Sequence, residues 1–209
     1  MTETEVGRRG RKKEETRARI FQAALDLFQR KGFEVTTVDD ITERADVAKG
    51  TFFNYYPRKE SVLFELSLRH IEQVEAYGEE LAGRPLSAID RMIEAMRHGV
   101  RLYMKDRDLS RVMLLQIFKG AAALGPETLE INQRAQRMIR GFVEKAQAAG
   151  ELRPDMDPER ATYVLRSIFF LAVLVWVSAP APPYDLAEEL PARIRLALEG
   201  LASRSGGGS

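Results

Sequence analysis

KGFEVTTVDDITERADVAKGTFFNYYPRKESVLFEL, residues 31–66, is the stretch from which the fold is read. Gly32 closes a helix in front of it: Ile20, Ala24, Leu27 and Phe28 recur at helical spacing and predict a first helix from about Glu14 to Lys31. Thr37 followed by Asp40 predicts a capping box with aspartate in place of the usual glutamate. It opens a short helix to about Ala45 that buries Val38 and Ile41, and Asp46 sits where the chain must turn. A third helix follows from Val47 or Ala48 to Tyr55. Pro57 disfavours helical geometry at Tyr56, so a fourth helix starts afresh near Lys59 and runs to about Leu81 with Val62, Leu63, Leu66 and His70 on related faces.

Helix, short helix, tight turn and short helix is an arrangement that places a recognition helix in the DNA major groove. Phe28, Ile41, Val47, Phe52 and Tyr56 suffice for a compact core beneath it. Lys49, Gly50, Thr51, Phe53, Asn54 and Tyr55 are left for the outer side of the third helix. Small residues at Ala48, Gly50 and Thr51 permit close backbone approach, Asn54 suits adenine and Lys49 suits guanine edges. Thr37, beside free amides at a helix start, suits a phosphate.

Outward from this head the chain stays helical. Segments from about Ser87 to Lys105 and Leu109 to Lys119 precede a turn over Gly120–Pro126. A helix from Glu127 to Ala148 ends at Gly150, and the proline-rich Glu151–Pro158 leads to another that starts at Asp157-Pro158 and reaches Ser178. A last helix spans about Leu186 to Ser203, and SGGGS at 205–209 reads as a flexible tail. No segment alternates as a surface strand would, and the expected fold is all-α with about nine helices.

Composition narrows the chemistry. The chain has no cysteine, which excludes disulfides, thiol catalysis and zinc thiolate sites. His70 and His98 leave little for a metal cluster, so neither metal nor cofactor is expected. The longest uninterrupted apolar run, Ile168–Val177, is ten residues against the roughly 20 of a membrane span, so a buried helix, no membrane partner and a cytoplasmic location are the expectation. Gly120–Pro126 lacks the lysine and hydroxyl residue of a phosphate-binding loop, no triad surrounds the histidines, and Asp39-Asp40 are explained by helix capping, so no enzyme is read here. Net charge is only +1, yet residues 8–19 hold seven basic side chains against two acidic ones. A basic arm in front of a near-neutral body suggests an anionic partner.

Residues 31–66 closely resemble the DNA-binding domain of the TetR family of transcriptional regulators. Gly32-Phe33, Thr36-Thr37-Val38, Ala45, Val47, Gly50-Thr51-Phe52 and the Tyr56-Pro57-x-Lys59-Glu60 junction carry the resemblance. It implies base contacts from Ala48, Lys49, Gly50, Phe53 and Asn54, and backbone contacts from Thr37, Lys49, Thr51, Tyr55 and Lys59. Arg11 and Arg17 join the backbone set, with residues 8–13 as an arm that tracks phosphates or enters the minor groove. Three departures are visible: Asp46 stands where Gly is common, Ala48 where Ser is common, and Phe53 where Tyr is common.

The last two helices read as a dimer seam. Val164, Ile168, Leu171 and Val175, then Leu190, Ile194 and Leu198, form apolar faces, and Phe169, Phe170, Leu174 and Trp176 make the first helix apolar all round. Packing against a second copy satisfies that demand; filling a monomer core is the alternative. A dimer, which the resemblance also implies, places two recognition helices about 34 Å apart or a multiple of it. The resemblance further implies an effector pocket, for which Met92, Met96, Tyr103, Met104, Met113, Phe118, Met138 and Phe142 supply adaptable apolar lining. Arg101, Arg107 and Arg111 suit either an anionic ligand or a solvated face.

The expected organisation is a basic flexible arm (1–13), a helix-turn-helix domain (14–58), an effector-binding and dimerisation domain (59–203) and a tail (204–209). The expected function is sequence-specific regulation of transcription. A repressor is released from a palindromic double-stranded DNA operator by a small, largely apolar effector. The alternative is a helical ligand-binding or protein-interaction module without operator binding.

Overall fold

A computed structural model describes residues 3–122 and 125–200. Among the described residues there are nine α-helices, one 3-10 turn and no strand. They are α1 (Glu3–Lys31), α2 (Val38–Ala45), α3 (Lys49–Tyr55), α4 (Glu60–Glu80), α5 (Ala88–Met104), α6 (Arg107–Ala122), α7 (Pro126–Ala148), α8 (Pro158–Ser178) and α9 (Leu186–Glu199), with the 3-10 turn at Leu81–Gly83. The chain divides into two compact units, residues 1–67 with 108–128, and residues 68–107 with 129–209.

Two boundaries differ from the sequence reading. The first helix begins at Glu3 rather than Glu14, so the basic stretch read as a flexible arm lies on helix. Glutamate, arginine and lysine are good helix formers, and no proline interrupts them. α6 continues past Gly120 to Ala122, inside the segment read as a turn, whose residues 123–124 are outside the described part. The last helix stops at Glu199 before Gly200, and residues 201–203, read as its end, and 204–209, read as a tail, lie outside the described part.

In the first unit α1, α2 and α3 pack around Ile20, Ala24, Phe28, Phe33, Ile41, Ala45, Phe52 and Tyr56, all buried. Gly32 ends α1 at φ 89° and donates its N–H to Phe28 O at 3.0 Å. Asp46 takes the left-handed turn position with φ 51° and ψ 57°, a geometry that aspartate tolerates better than most residues. Tyr56 leaves the helical region (φ −132°, ψ 106°), as the following proline requires.

The second unit is organised around α5, α8 and α9. Met92, Ile93, Met96, Val100, Leu165, Val173, Leu186, Leu190 and Ile194 form its core. Pro191 lies inside α9 and has no N–H for the carbonyl of Ala187, and Arg97 Nε of α5 donates to that carbonyl at 3.1 Å. At the N-terminus of α5 the Glu151 carboxylate accepts from the N–H groups of Ile89 (2.8 Å) and Ala88 (2.7 Å), which hold its carboxyl below the usual range.

By length and composition α8 is the one described helix apolar enough to cross a membrane, although its longest unbroken apolar run is short. Within the second unit it packs on α5 and α9, and Arg166 from its middle bonds to Gln136 (2.6 Å) and Asn132 (3.0 Å) of α7.

Candidate nucleic-acid interface

α3 is seven residues long and is held by its inner face. Phe52 is fully buried, with the rings of Phe53 at 5.5 Å and Tyr56 at 5.6 Å. Ala48, Lys49, Gly50, Phe53 and Asn54 are exposed, and Thr51 and Tyr55 are half-buried. All five residues read as base contacts are therefore on the surface of one short helix and its N-cap. Phe53 keeps 47% of its surface in water, which nothing in the packing of the first unit requires. Gly50 has no positive φ, and a Cβ added there would meet nothing within 4 Å. The fold of the chain does not demand glycine at this position.

The residues read as backbone contacts have diverse surroundings. Thr37 and Asp40 form the capping box: the Thr37 N–H and hydroxyl both donate to Asp40 Oδ2 at 2.7 Å, and the Asp40 N–H donates back to Thr37 Oγ1 at 3.1 Å. Lys31 lies 2.7 Å from the same carboxylate oxygen. Lys31, and then the Thr37 donors, hold the Asp40 carboxyl well below its ordinary range. The Thr37 hydroxyl is thus committed inside the chain.

Lys59 is likewise occupied. Its ammonium donates to Phe33 O (2.6 Å) and Thr36 O (2.8 Å) and lies 4.2 Å from the Phe33 ring centroid. It ties the loop between α1 and α2 to the start of α4. Arg17 Nε donates to Glu65 Oε2 at 2.9 Å, and the Tyr56 hydroxyl donates to the same oxygen at 2.7 Å. Burial first, then the bond to Glu65, raises the Tyr56 phenol above its ordinary value. Lys49 pairs with Asp39, its Nζ 2.8 Å from Oδ1 and 3.1 Å from Oδ2.

Among the described residues of this unit, Arg11, Lys12, Lys13 and Arg19 on α1 and Arg111 and Lys119 on α6 are exposed cations without an ion pair. Sequence reasoning missed Arg19, Asp39 and Glu65 as participants. Glu65 offered a signal, as the one acid in the apolar run Ser61–Leu66. Nothing local marked the Asp39–Lys49 pair, ten residues apart on different helices.

The residues read as an effector lining do not all belong to one unit. Met92, Met96 and Phe142 are buried in the second unit, with Tyr103, Met104 and Met138 half-buried there. Met113 is buried in the first unit, while Phe118 on the same helix is 61% exposed. In the second unit His70 meets the Tyr103 ring at 5.4 Å, and Tyr103 meets Phe169 at 6.0 Å. His70 Nδ1 is buried without a hydrogen-bond partner, and burial, helped by the charge of Lys105, brings the imidazole down to about 4. Burial alone pushes the Tyr103 phenol up to about 12. Arg107, a candidate for an anion, instead donates to the carbonyls of Trp176 and Ala179 at the end of α8. Among the described residues no cluster of three or more metal-binding side chains occurs.

The seam read from α8 and α9 is also redistributed. Leu190 and Ile194 are fully buried within the chain, because α9 turns that face toward α5 and α8. Val164, Leu171 and Val175 are exposed on α8, joined by Tyr163 and by Leu196 on α9, while Ile168 and Leu198 are half-buried.

Residues 20–66 match the profile described as "Bacterial regulatory proteins, tetR family". The chain is 25% identical over 184 residues to the HTH-type transcriptional repressor KstR of Rhodococcus jostii, covering 88% of this chain and 83% of that protein. It superposes with a TM-score of 0.76 and 30% identity on Thermus thermophilus FadR, a TetR-family transcriptional repressor in complex with lauroyl-CoA, covering 92% of this chain and 98% of that one. The Bacillus subtilis regulator FadR, in complex with stearoyl-CoA, shares the fold at a TM-score of 0.73 with 22% identity. The exposed face of α3, the matched segment around it and the likeness along nearly the whole chain converge: the chain belongs to the TetR family, DNA-binding regulators of transcription rather than enzymes.

Proposed function

We propose that this protein is a homodimeric repressor that holds a palindromic operator through α3 and releases it when an acyl-CoA thioester binds the second unit. The observation that carries the DNA side is α3 itself. Its buried Phe52 fixes the helix while Lys49, Gly50, Phe53 and Asn54 remain exposed. Thr51, Tyr55 and the α1 cations Arg11 and Arg19 contact the backbone, and Arg17, Thr37 and Lys59 position the elements that do so. The exposed apolar face of α8, with Val164, Leu171 and Val175, meets a second copy. The working place is the compartment that holds the DNA, the cytoplasm of a bacterium.

The effector class is supported by the lauroyl-CoA bound to the Thermus thermophilus relative. An acyl-CoA presents a long apolar chain and a polyanionic head. The second unit offers Met92, Met96 and Phe142 for the one and exposed Arg101 and Lys105 at the end of α5 for the other. The test is release of the full-length protein from a duplex selected from a random library. Lauroyl-CoA is expected to release it at concentrations where free CoA and laurate do not. Equal release by laurate would replace the thioester with a fatty acid, and no release by any of the three would reject the class.

A further inference from the structure

We propose that Asp39 is an internal competitor for Lys49, and that it makes the head discriminate between its operator and other DNA. The inference rests on Lys49 being a DNA contact and adds to that reading a residue that regulates it.

Both carboxylate oxygens of Asp39 lie within hydrogen-bond distance of Lys49 Nζ, at 2.8 and 3.1 Å. The two side chains are 70% and 56% exposed, so water screens the pair and it adds little to stability. Capping does not need Asp39 either. The N-terminus of α2 is closed by Thr37 and Asp40, whose carboxylate has its own counter-ion in Lys31. An acid outside the capping box, whose charge otherwise serves only the first turn of α2, therefore stands at the entry of α2, against the first residue of α3.

Its consequence follows from how DNA attracts proteins. Non-specific binding is driven by side-chain cations that neutralise phosphates and release counter-ions. A lysine already neutralised by a carboxylate gains little by exchanging it for a phosphate, because the exchange leaves Asp39 bare beside a polyanion. A base-edge contact, which a matching sequence alone supplies, compensates that loss. Asp39 thus lowers affinity for arbitrary DNA more than for the operator, a repulsive element that sharpens specificity. The other cations of the head fit this pattern. Arg17 and Lys31 are paired and Lys59 is spent on carbonyls, which leaves the α1 cations to supply general attraction.

The experiment compares the full-length protein with Asp39→Asn, Lys49→Ala and the double variant. Each is titrated with a random-sequence duplex and with the selected palindromic duplex, from about 50 to 200 mM salt. Asp39→Asn is expected to melt as the parent does. It binds the random duplex about three- to tenfold tighter, with a salt slope steeper by about 0.9, and changes far less on the selected duplex. Adding Lys49→Ala abolishes the gain. The proposal is overturned if Asp39→Asn leaves random-duplex affinity and slope unchanged while Lys49→Ala weakens binding. It is also overturned if the gain survives in the double variant, or if Asp39→Asn weakens the selected duplex alone. If Lys49→Ala changes neither duplex, the DNA role of Lys49 fails and this inference with it.

Discussion

Gly50 separates what the fold needs from what the DNA needs. A methyl group at this position meets open space, and glycine in a helix is less favourable than alanine by about 0.8–1 kcal/mol. Gly50→Ala is therefore expected to raise the melting temperature or leave it unchanged, and to weaken operator binding by crowding the backbone against the base edges. Thermal melting and duplex titration on the same preparation check both halves. A loss of stability would mean that the glycine serves the fold. His70 is likewise a residue kept at a cost to stability, one that appears as pH falls. Its imidazole is brought from 6.5 down to about 4, so the folded chain binds fewer protons than the unfolded chain between those values. Stability contributed by keeping His70 neutral is complete above pH 6.5 and is lost as pH falls toward 4, by at most about 3 kcal/mol. Urea unfolding at pH 7 and at pH 4.5 is expected to show a smaller loss for His70→Leu than for the parent. Because Nδ1 has no partner, the substitution itself costs little at pH 7.

At the scale of elements, helix termini and their partners explain both what the sequence revealed and what it hid. The capping box at Thr37, the turn at Asp46 and the break at Tyr56 were legible because each is set by residues within four positions of one another. The exposed side of α3 was legible for the same reason. Lys59, Lys49 and Arg17 were not, since their partners come from other elements: the α1–α2 loop, α2 and α4. The apolar face of α9 suits a seam or a core equally well in sequence, and only packing on α5 and α8 decides that Leu190 and Ile194 belong to the core. The Arg97–Ala187 bond belongs to this scale too. It satisfies a carbonyl that Pro191 cannot, so Arg97→Met is expected to cost about 1–2 kcal/mol in the parent. In a Pro191→Ala background, where the helix supplies its own N–H, the cost is smaller. A double-mutant cycle by chemical unfolding measures the difference, and strict additivity would remove the proposed link. Glu65→Gln is expected to loosen α1 and the end of α3 together, because Arg17 and Tyr56 share one of its oxygens. A drop of about 1–2 kcal/mol in stability and weaker duplex binding are the outcomes that unfolding and titration would show.

For the whole molecule, net charge near zero conceals an uneven division of labour. Among its described residues the head carries its cations mostly in internal pairs, and those left unpaired, Arg11, Lys12, Lys13 and Arg19, lie on α1. The apolar face of α8, with Leu171 at 58% exposed, is the surface we propose brings two such heads to one operator. Leu171→Glu with Val175→Lys is expected to give a monomer by equilibrium ultracentrifugation at micromolar concentration and to cost most of the operator affinity. A variant that stays dimeric would move the interface elsewhere. The central claim is that α3 reads DNA sequence, and selection of bound duplexes from a random library by the full-length protein tests it most directly. A palindromic site is predicted to emerge for the parent and to be lost with Lys49→Ala plus Asn54→Ala, at unchanged melting temperature. Emergence of the same site with both residues replaced, or of no palindrome at all, would contradict the account.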